Sequence, residues 1–271
     1  MDSIYGEIYL ASEYDQFKLI KGNRQISTNI KLEESIKSKG ILRPIIVNSN
    51  MEILDGQHRY IIAKKYNLSL PYYVSVSKSI EDIIVLNNTT NRWKIEDYIH
   101  TYKEDGLIDY ILLEKLIKEY KNIALMDICC CAQGHCKRSR LLIEIVKEGK
   151  FKFYNYEEFL ICLNKFQQFI YLTRIKCAVG VFFAFFELYT VKKFDFTHFI
   201  ERINKMDIKS KIIGIRNEKR ILKMFVETYN YNLRKTYDKY IEYRVNKDRS
   251  ITILEEMSEA LLIQPINESD S

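Results

Sequence analysis

The chain is poor in residues that interrupt helices, with only three prolines and nine glycines among 271 residues. This composition favours helical structure over much of the length. The most apolar stretch, residues 177–186, is shorter than the about 20 apolar residues that a bilayer span needs, so it predicts a buried core helix. The start of the chain lacks the basic segment and apolar run of a signal peptide. We therefore expect a cytoplasmic protein without a membrane partner.

Cysteine clusters in only one place. Six cysteines occur, and four of them, together with His135, fall within residues 129–136. Structural zinc sites normally take paired ligands from two separate segments, and no second Cys/His pair exists at suitable spacing. We predict no metal site from this pattern, although metal binding by residues 129–136 stays an open alternative. The thiols are expected to be reduced, as in a cytosol.

Several catalytic constellations are missing as well. The sequence has no P-loop, no Ser/His/Asp grouping and no pair of catalytic carboxylates. His100 and His198 lie among apolar residues at helical spacing, which is typical of ordinary helix histidines. The net charge of +6 is modest, so it permits a nucleic-acid partner without requiring one.

The order of predicted elements divides the chain into three parts. Residues 1–92 alternate helices (28–40, 57–66, 79–86) with strands (41–47, 52–54, 71–77), which predicts a small mixed α/β domain. Residues 93–250 are compatible with helix almost throughout and predict an all-helical domain, whose last helix runs over 219–243. Residues 251–271 form an acidic tail. From Glu255 to Ser271 it carries five acidic residues and no basic one, and we expect this stretch to fray.

One stretch, Ile53 to Ala63, brings several chemically capable residues together. Strand-like residues lead into Asp55-Gly56, which predicts a turn, and a helical pattern follows from Gln57. The start of a helix presents backbone N–H groups at which an anion can bind. His58 and Arg59 add side-chain donors in the first helical turn. The stretch therefore predicts a phosphate or nucleotide site. The structural alternative is an ordinary turn in which Arg59 forms a salt bridge with a neighbouring residue.

A second block precedes that stretch at a fixed distance. The two blocks read Leu32-x-x-Ser35-Ile36-x-x-x-Gly40-Ile41-x-x-Pro44-Ile45-x-Val47 and Ile53-x-Asp55-Gly56-x-His58-Arg59-x-x-x-Ala63. Together they resemble the N-terminal domain of the ParB/sulfiredoxin superfamily, over roughly residues 10–100. The resemblance implies an α+β chain: a small ParB/sulfiredoxin-like domain followed by a helical domain with a helix-turn-helix.

The resemblance also implies roles for individual residues. Gly56, His58 and Arg59, with Gln57 in the same turn, would contact the phosphates of a nucleoside triphosphate, CTP or ATP, bound with Mg²⁺. Gly40 and Pro44 would line the nucleoside. Asp55 would stand near the metal or the phosphate acceptor.

Two departures from the family bear on chemistry. Sulfiredoxins carry a reactive cysteine just before the histidine, and Gln57 occupies that position here. ParB proteins carry a later Glu-Asn-x-x-Arg block that helps to hold the metal; Asn87, Asn88 and Arg92 resemble it, but the acid is missing. Nucleotide binding is therefore favoured over catalysis.

Two basic segments are candidates for DNA contact. Predicted helices over 107–120 and 124–130, a turn at Gly134 and a helix over 137–148 resemble a helix-turn-helix, whose second helix would present Lys137, Arg138 and Arg140. Residues 202–249 hold fourteen basic and six acidic residues, and Arg234 and Lys235 follow tyrosines, as on many nucleic-acid surfaces. An ordinary helical hairpin and a charge-laced surface helix are the structural alternatives.

The function predicted from these patterns is nucleotide-regulated DNA binding in the partition, replication or gene regulation of a phage or plasmid. The first alternative is a metal-dependent phosphotransferase, nucleotidase or nuclease, with Asp55 as general base and His58 as phosphate polariser. The second is a degenerate scaffold in a phage protein complex. A homodimer stays open, although no dimerisation tail of the ParB type is evident.

Overall fold

The computed structural model describes residues 7–20, 30–75 and 93–263. It is a mixed structure of helices and a small sheet, as the sequence predicts. The chain divides into two compact units, Met1–Glu114 and Lys115–Ser271. The domain boundary at residue 92 stays a prediction. The predicted helix over 79–86 and the residues Asn87, Asn88 and Arg92 lie outside the described residues.

The first unit contains a five-stranded sheet. Its strands are β1 (Tyr9–Ala11), β2 (Lys18–Leu19), β3 (Ile45–Val47), β4 (Glu52–Asp55) and β5 (Leu70–Val74), in the spatial order β1-β5-β3-β4-β2. Strands β3 and β4 pair antiparallel, which confirms the predicted hairpin, and β3 pairs parallel with β5. Of the strand predicted over 41–47, Ile45–Val47 forms β3 and the first half is irregular, because Gly40 has φ +72° and Pro44 has no N–H to donate to a strand.

Helices of the first unit pack on this sheet or follow it. They are α1 (Ile30–Lys39), α2 (Gln57–Tyr66), α3 (Ile95–Glu104) and α4 (Ile108–Glu119), the last of which crosses the division between the units. Tyr60 and Ala63 of α2 are buried in one cluster with Ile45 and Ile53 of the sheet. The start of α2 is therefore fixed against β3 and β4 by apolar packing.

The second unit is mainly helical. Its helices are α5 (Leu125–Ala132), α6 (Arg140–Lys147), α7 (Tyr156–Thr173), α8 (Val181–Tyr189), α9 (Phe196–Lys205), α10 (Ile208–Ile212) and α11 (Glu218–Tyr229). Phenylalanines from α7, α8, α9 and α11 are fully buried and contact one another, for example Phe169 with Phe199 and Phe225. The predicted burial of the apolar stretch is confirmed in α8, although the helix begins only at Val181.

Two predictions for the end of the chain are wrong. The helix predicted over 219–243 ends at Tyr229, and β6 (Tyr243–Val245) pairs antiparallel with β7 (Ile251–Ile253), so the unit is not all helical. The fraying expected from Glu255 onward does not apply to residues 255–263. Beyond β7, Lys192 N–H donates to the Glu256 carbonyl at 3.0 Å, and Ile263 N–H donates to the Gly134 carbonyl at 3.1 Å. These backbone bonds tie the segment to the helices.

No helix within residues 7–20, 30–75 and 93–263 combines the length and the apolar character that crossing a membrane demands.

Candidate functional site

The predicted turn before α2 is formed by Asp55 at the end of β4 and by Gly56, which has φ 95° and ψ 19°. The first intrahelical bond runs from Tyr60 N–H to the Gly56 carbonyl at 3.0 Å. The N-cap residue is a glycine, so it has no side chain with which to cap the helix. The N-terminus of α2 is thus the kind of positively polarised helix end at which anions bind.

Arg59 lies over this turn and is already engaged. Its Nη2 donates to Asp55 Oδ2 at 3.0 Å, and the two side chains are only 16% and 21% exposed. Its Nε is buried and has no hydrogen-bond partner in the described part of the chain. A buried donor without an acceptor costs about 1–3 kcal/mol, so an acceptor arriving at this nitrogen would lower the free energy of the site.

Gly56 is required here for two reasons. Its φ of 95° is a conformation that side chains with a Cβ adopt at a cost. A Cβ at this position would also lie 2.7 Å from Arg59 Nη2 and 2.7 Å from Ile45 Cγ2. The arginine and β3 therefore approach the backbone of the turn more closely than any residue except glycine permits.

The other residues predicted for the nucleotide site are placed unevenly around the turn. Gln57 is buried and His58 is partly buried, both in the first turn of α2. Pro44 is partly buried and directly precedes Ile45, so its segment lies beside Gly56. Gly40 ends α1 and has no atom within 4 Å of the position of a Cβ. The structure thus brings Pro44, Gly56, Gln57, His58 and Arg59 into one neighbourhood.

The predicted helix-turn-helix differs from the structure at its second helix. Helix α6 begins at Arg140, so Lys137 and Arg138 lie in the preceding turn, where the sequence predicted the first helical turn. Arg138 donates from Nε and Nη2 to Asp127 Oδ1 at 2.9 Å and 2.6 Å, and Asp127 is only 2% exposed. Burial raises the pKa of the Asp127 carboxyl, and the bonds from Arg138 oppose that rise. Arg138 thus holds the turn to α5.

The cysteine cluster lies mostly in the protein interior. Cys129, Cys130 and Cys131 are buried in α5, and Cys136 is partly buried in the turn that follows. Burial raises the pKa of the Cys131 and Cys136 thiols well above the ordinary value, which favours the protonated thiol. Within the described residues, no group of three or more His, Cys, Asp and Glu side chains could hold a metal ion.

Two concave surfaces of the second unit carry basic residues. The first, called here the loop groove, has a volume of about 510 Å³ and lies between α9 and the irregular loop that follows α11. Its lining residues are His198, Arg202, Asn232, Leu233, Arg234, Thr236, Tyr237 and Lys239. Arg234 was predicted from the sequence, whereas Lys235 is exposed and is not part of the lining.

The second surface, called here the α11 groove, has a volume of about 640 Å³. It is lined by α11 with its N-cap residue and by the turn between β6 and β7: Asn217, Lys219, Arg220, Lys223, Met224, Glu227, Asp248, Arg249 and Ser250. Neither surface follows from the sequence, because each combines a helix with a loop distant along the chain. The spacing of His198 and Arg202, four residues apart in a helix, was the one available signal for the loop groove.

Comparison with known proteins gives little. No protein-family model matches the chain. No curated protein matches it either. Among solved structures, the chain is similar to one described as a Pnob8-like ParB-N domain, with a TM-score of 0.33 and 15% identity over 84% of this chain and 100% of that chain. This similarity is too weak to assign a function, and membership of the ParB/sulfiredoxin superfamily stays a prediction.

Proposed function

We propose that the chain is a ParB-like, nucleotide-binding and DNA-binding protein, and that the turn from Asp55 to Arg59 holds a phosphate of the nucleotide. One observation carries the nucleotide part of this proposal. The Nε of Arg59 is buried without a hydrogen-bond partner in the described chain, and it lies over the turn at the N-terminus of α2. A phosphate oxygen is an acceptor that suits both this nitrogen and a helix N-terminus.

A phosphate bound at the turn would lie close to the Asp55 carboxylate, which repels it. Arg59 offers five N–H donors in a planar fork, and Asp55 accepts from one of its terminal nitrogens. A phosphate at the turn therefore shares Arg59 with a carboxylate and is repelled by it. Mg²⁺ fits this arrangement, because it is commonly bound by one or two carboxylates together with substrate phosphates. Asp55 would hold the ion, which would offset the repulsion.

The DNA part of the proposal rests on exposed basic residues of the second unit. Lys137, Arg140, Arg234 and Lys235 are exposed, and residues 202–249 carry a net charge of +8 from fourteen basic and six acidic residues. Such a surface attracts the phosphate backbone of DNA independently of sequence. Arg138 takes no part in this proposal, because its guanidinium is held by Asp127.

Calorimetric titration with CTP, ATP and ADP, each with and without Mg²⁺, tests the nucleotide site. We expect at least one nucleotide to bind, and Arg59→Ala to weaken it by about tenfold or more, since a charge-assisted hydrogen bond is lost. Lys18→Ala is the matched control, because it removes an exposed positive charge of the same sheet from β2. Thermal unfolding of both variants checks that Arg59→Ala is folded. Binding by none of the three nucleotides would overturn the proposal.

Two alternatives keep their own tests. As an enzyme, the chain would release phosphate or nick DNA with a suitable metal, and Asp55→Asn would abolish that turnover. No observation favours this alternative, since Asp55 is engaged by Arg59. As a scaffold, the chain would bind DNA or a protein partner equally well with and without Arg59.

A further inference from the structure

The loop groove is built by two elements that are far apart in the chain. Helix α9 contributes His198 and Arg202, which lie one helical turn apart and so project from the same face. The loop after α11 contributes the other lining residues, from Asn232 to Lys239. The groove thus has a rigid helical side and a loop side, each with an arginine.

The loop side is held in place without any ligand. Asn230 is buried and clamps both ends of the loop: its Nδ2 donates to the Ile241 carbonyl at 2.7 Å, and its Oδ1 accepts from Ile241 N–H at 2.9 Å. Lys239 Nζ lies 2.6 Å from Asp195 Oδ2, which joins the loop to the N-cap of α9. A binding surface fixed in advance loses little conformational freedom when its ligand arrives.

Asp195 and His198 hold the helical side. Asp195 Oδ1 accepts from His198 N–H at 3.0 Å, and this bond, followed by the one from Lys239, lowers the pKa of the Asp195 carboxyl. His198 Nε2 lies 2.9 Å from the Tyr229 carbonyl. A carbonyl oxygen only accepts hydrogen bonds, so His198 Nε2 carries a hydrogen and donates a hydrogen bond to this carbonyl. His198 is therefore a wall of the groove that is anchored to α11.

The charges of the groove are not balanced. Arg202, Arg234 and Lys239 line it, and its described lining contains neither Asp nor Glu. Lys239 is neutralised by Asp195. Arg202 and Arg234 have no carboxylate within ion-pair distance anywhere in the described ranges, so two positive groups face one concavity. Asn232, Thr236 and Tyr237 add amide and hydroxyl groups that donate hydrogen bonds.

The α11 groove is a useful contrast. It is larger, but its lining contains Glu227 and Asp248. These carboxylates pair with two of its lysines: Lys219 lies 3.5 Å from Asp248 and Lys223 lies 3.8 Å from Glu227. A negative ligand there meets carboxylates, whereas the described lining of the loop groove contains no Asp or Glu side chain. The loop groove is therefore the better candidate for an anion site, although it is the smaller of the two, because its described lining contains no carboxylate.

We propose that the loop groove binds a phosphate group between Arg202 and Arg234, and that this phosphate belongs to the DNA backbone. Two guanidinium forks on different elements match the several oxygens of one phosphate. The choice of DNA rests on the DNA binding proposed above. The phosphate chemistry rests on the groove alone, so the two parts are tested separately.

Titration of the 271-residue chain with inorganic phosphate, followed by NMR of the arginine side-chain Nε–H signals, tests the groove. The signals are assigned by their loss in Arg202→Ala and Arg234→Ala. We expect both signals to shift on titration, and the signal of Arg220 in the α11 groove to stay in place. If neither Arg202 nor Arg234 responds to phosphate, the groove is not a phosphate site and the proposal is overturned.

Fluorescence anisotropy with a labelled DNA duplex at several salt concentrations tests the source of the phosphate. We expect Arg202→Ala and Arg234→Ala each to weaken binding about tenfold and to reduce the salt slope by about one. Arg174→Ala is the matched control, since Arg174 is an exposed arginine outside residues 202–249. Arg202→Lys keeps the charge without the fork, and we expect an intermediate loss.

The outcomes separate the two proposals. If wild type does not bind DNA but the NMR shifts occur, DNA binding fails and the phosphate belongs to a small molecule, which overturns the DNA source only. If wild type binds DNA and all three alanine variants bind equally well, DNA lies elsewhere and the loop groove is overturned as a DNA site. Equal losses in the three variants would show a general charge effect and would also overturn it.

Discussion

The turn at Gly56 and the loop groove both present arginine to an anion, but they treat its charge in opposite ways. Arg59 is mostly buried and bonded to Asp55, whereas Arg202 and Arg234 have no carboxylate partner among the described residues. A phosphate at the turn must therefore compete for its arginine. A phosphate in the loop groove meets arginines that nothing else neutralises. Affinity at the turn should respond to the carboxylate, and affinity in the groove to the arginines.

The largest predicted change is in the free energy of unfolding, and it is expected at Gly56, where Arg59 packs closely against the backbone. Gly56→Ala should destabilise the first unit by about 3 kcal/mol, since the positive φ costs about 1–2 kcal/mol and overpacking adds about 1–3 kcal/mol. Urea unfolding measures the change. Gly40→Ala is the control, because Gly40 also has a positive φ, at +72°, but open space around its Cβ position. A similar loss in both variants would mean that the contact between Arg59 and Gly56 is not close.

The next effect concerns the loop. Asn230→Ala should destabilise the second unit by about 2 kcal/mol, because it leaves the N–H and the carbonyl of Ile241 without their partner. The same variant should weaken phosphate binding in the loop groove, since the loop side is no longer held. Asn204→Ala on the exposed face of α9 is the control, with an expected change within about 0.5 kcal/mol. Unchanged phosphate shifts in Asn230→Ala would contradict the view that the loop is held in advance.

A third substitution gives the loop groove an unpaired carboxylate close to its arginines, as the turn at Gly56 has a carboxylate close to Arg59. Lys239→Ala exposes the Asp195 carboxylate beside the groove, so phosphate should bind about fivefold more weakly through charge repulsion. The same NMR titration measures this loss. Asp195→Asn in addition to Lys239→Ala removes the carboxylate and should restore most of the affinity. If the double variant stays as weak as the single one, Lys239 acts by contacting the ligand directly.

The smallest predicted change in affinity comes from removing the carboxylate at the turn, which leaves Arg59 without a carboxylate partner, like the arginines of the loop groove. Asp55→Asn frees Arg59 from its carboxylate, so without Mg²⁺ a nucleotide should bind about threefold more tightly. With Mg²⁺ the same variant should bind more weakly, because a carboxylate ligand of the ion is lost. Calorimetry in the presence and absence of Mg²⁺ distinguishes the two effects. Weaker binding under both conditions would show that Asp55 contacts the nucleotide itself.

Local signals explain why much of the first unit could be predicted. The β3–β4 hairpin and the start of α2 follow from short-range patterns, namely alternating apolar residues and the Asp55-Gly56 turn. The salt bridge between Arg59 and Asp55 agrees with the structural alternative for this turn, in which Arg59 pairs with a neighbouring residue. What the sequence left open was whether this ion pair replaces a ligand contact of Arg59 or accompanies it.

The end of the second unit depended on tertiary contacts that no local pattern contains. Residues 230–242 are compatible with helix by composition, yet Asn230 bonds to Ile241 and stops the helix at Tyr229. The acidic residues after β7 find partners on a distant turn, where Lys193 lies 2.7 Å from Glu255. The loop groove combines both effects, so its basic residues were visible in the sequence while their common surface was not.

The clamp made by Asn230 has a consequence for how this protein could diversify. The side chain of Asn230 holds residues 230 and 241 together, so the ten residues between them form a loop with fixed ends. The ends stay in place when the sequence of the loop changes. Lengthening such a loop costs little, as closure entropy grows only slowly with length. Residues 231–240 could thus be replaced by another sequence, which would change the ligand that this surface binds, while α11 and β6 keep their positions.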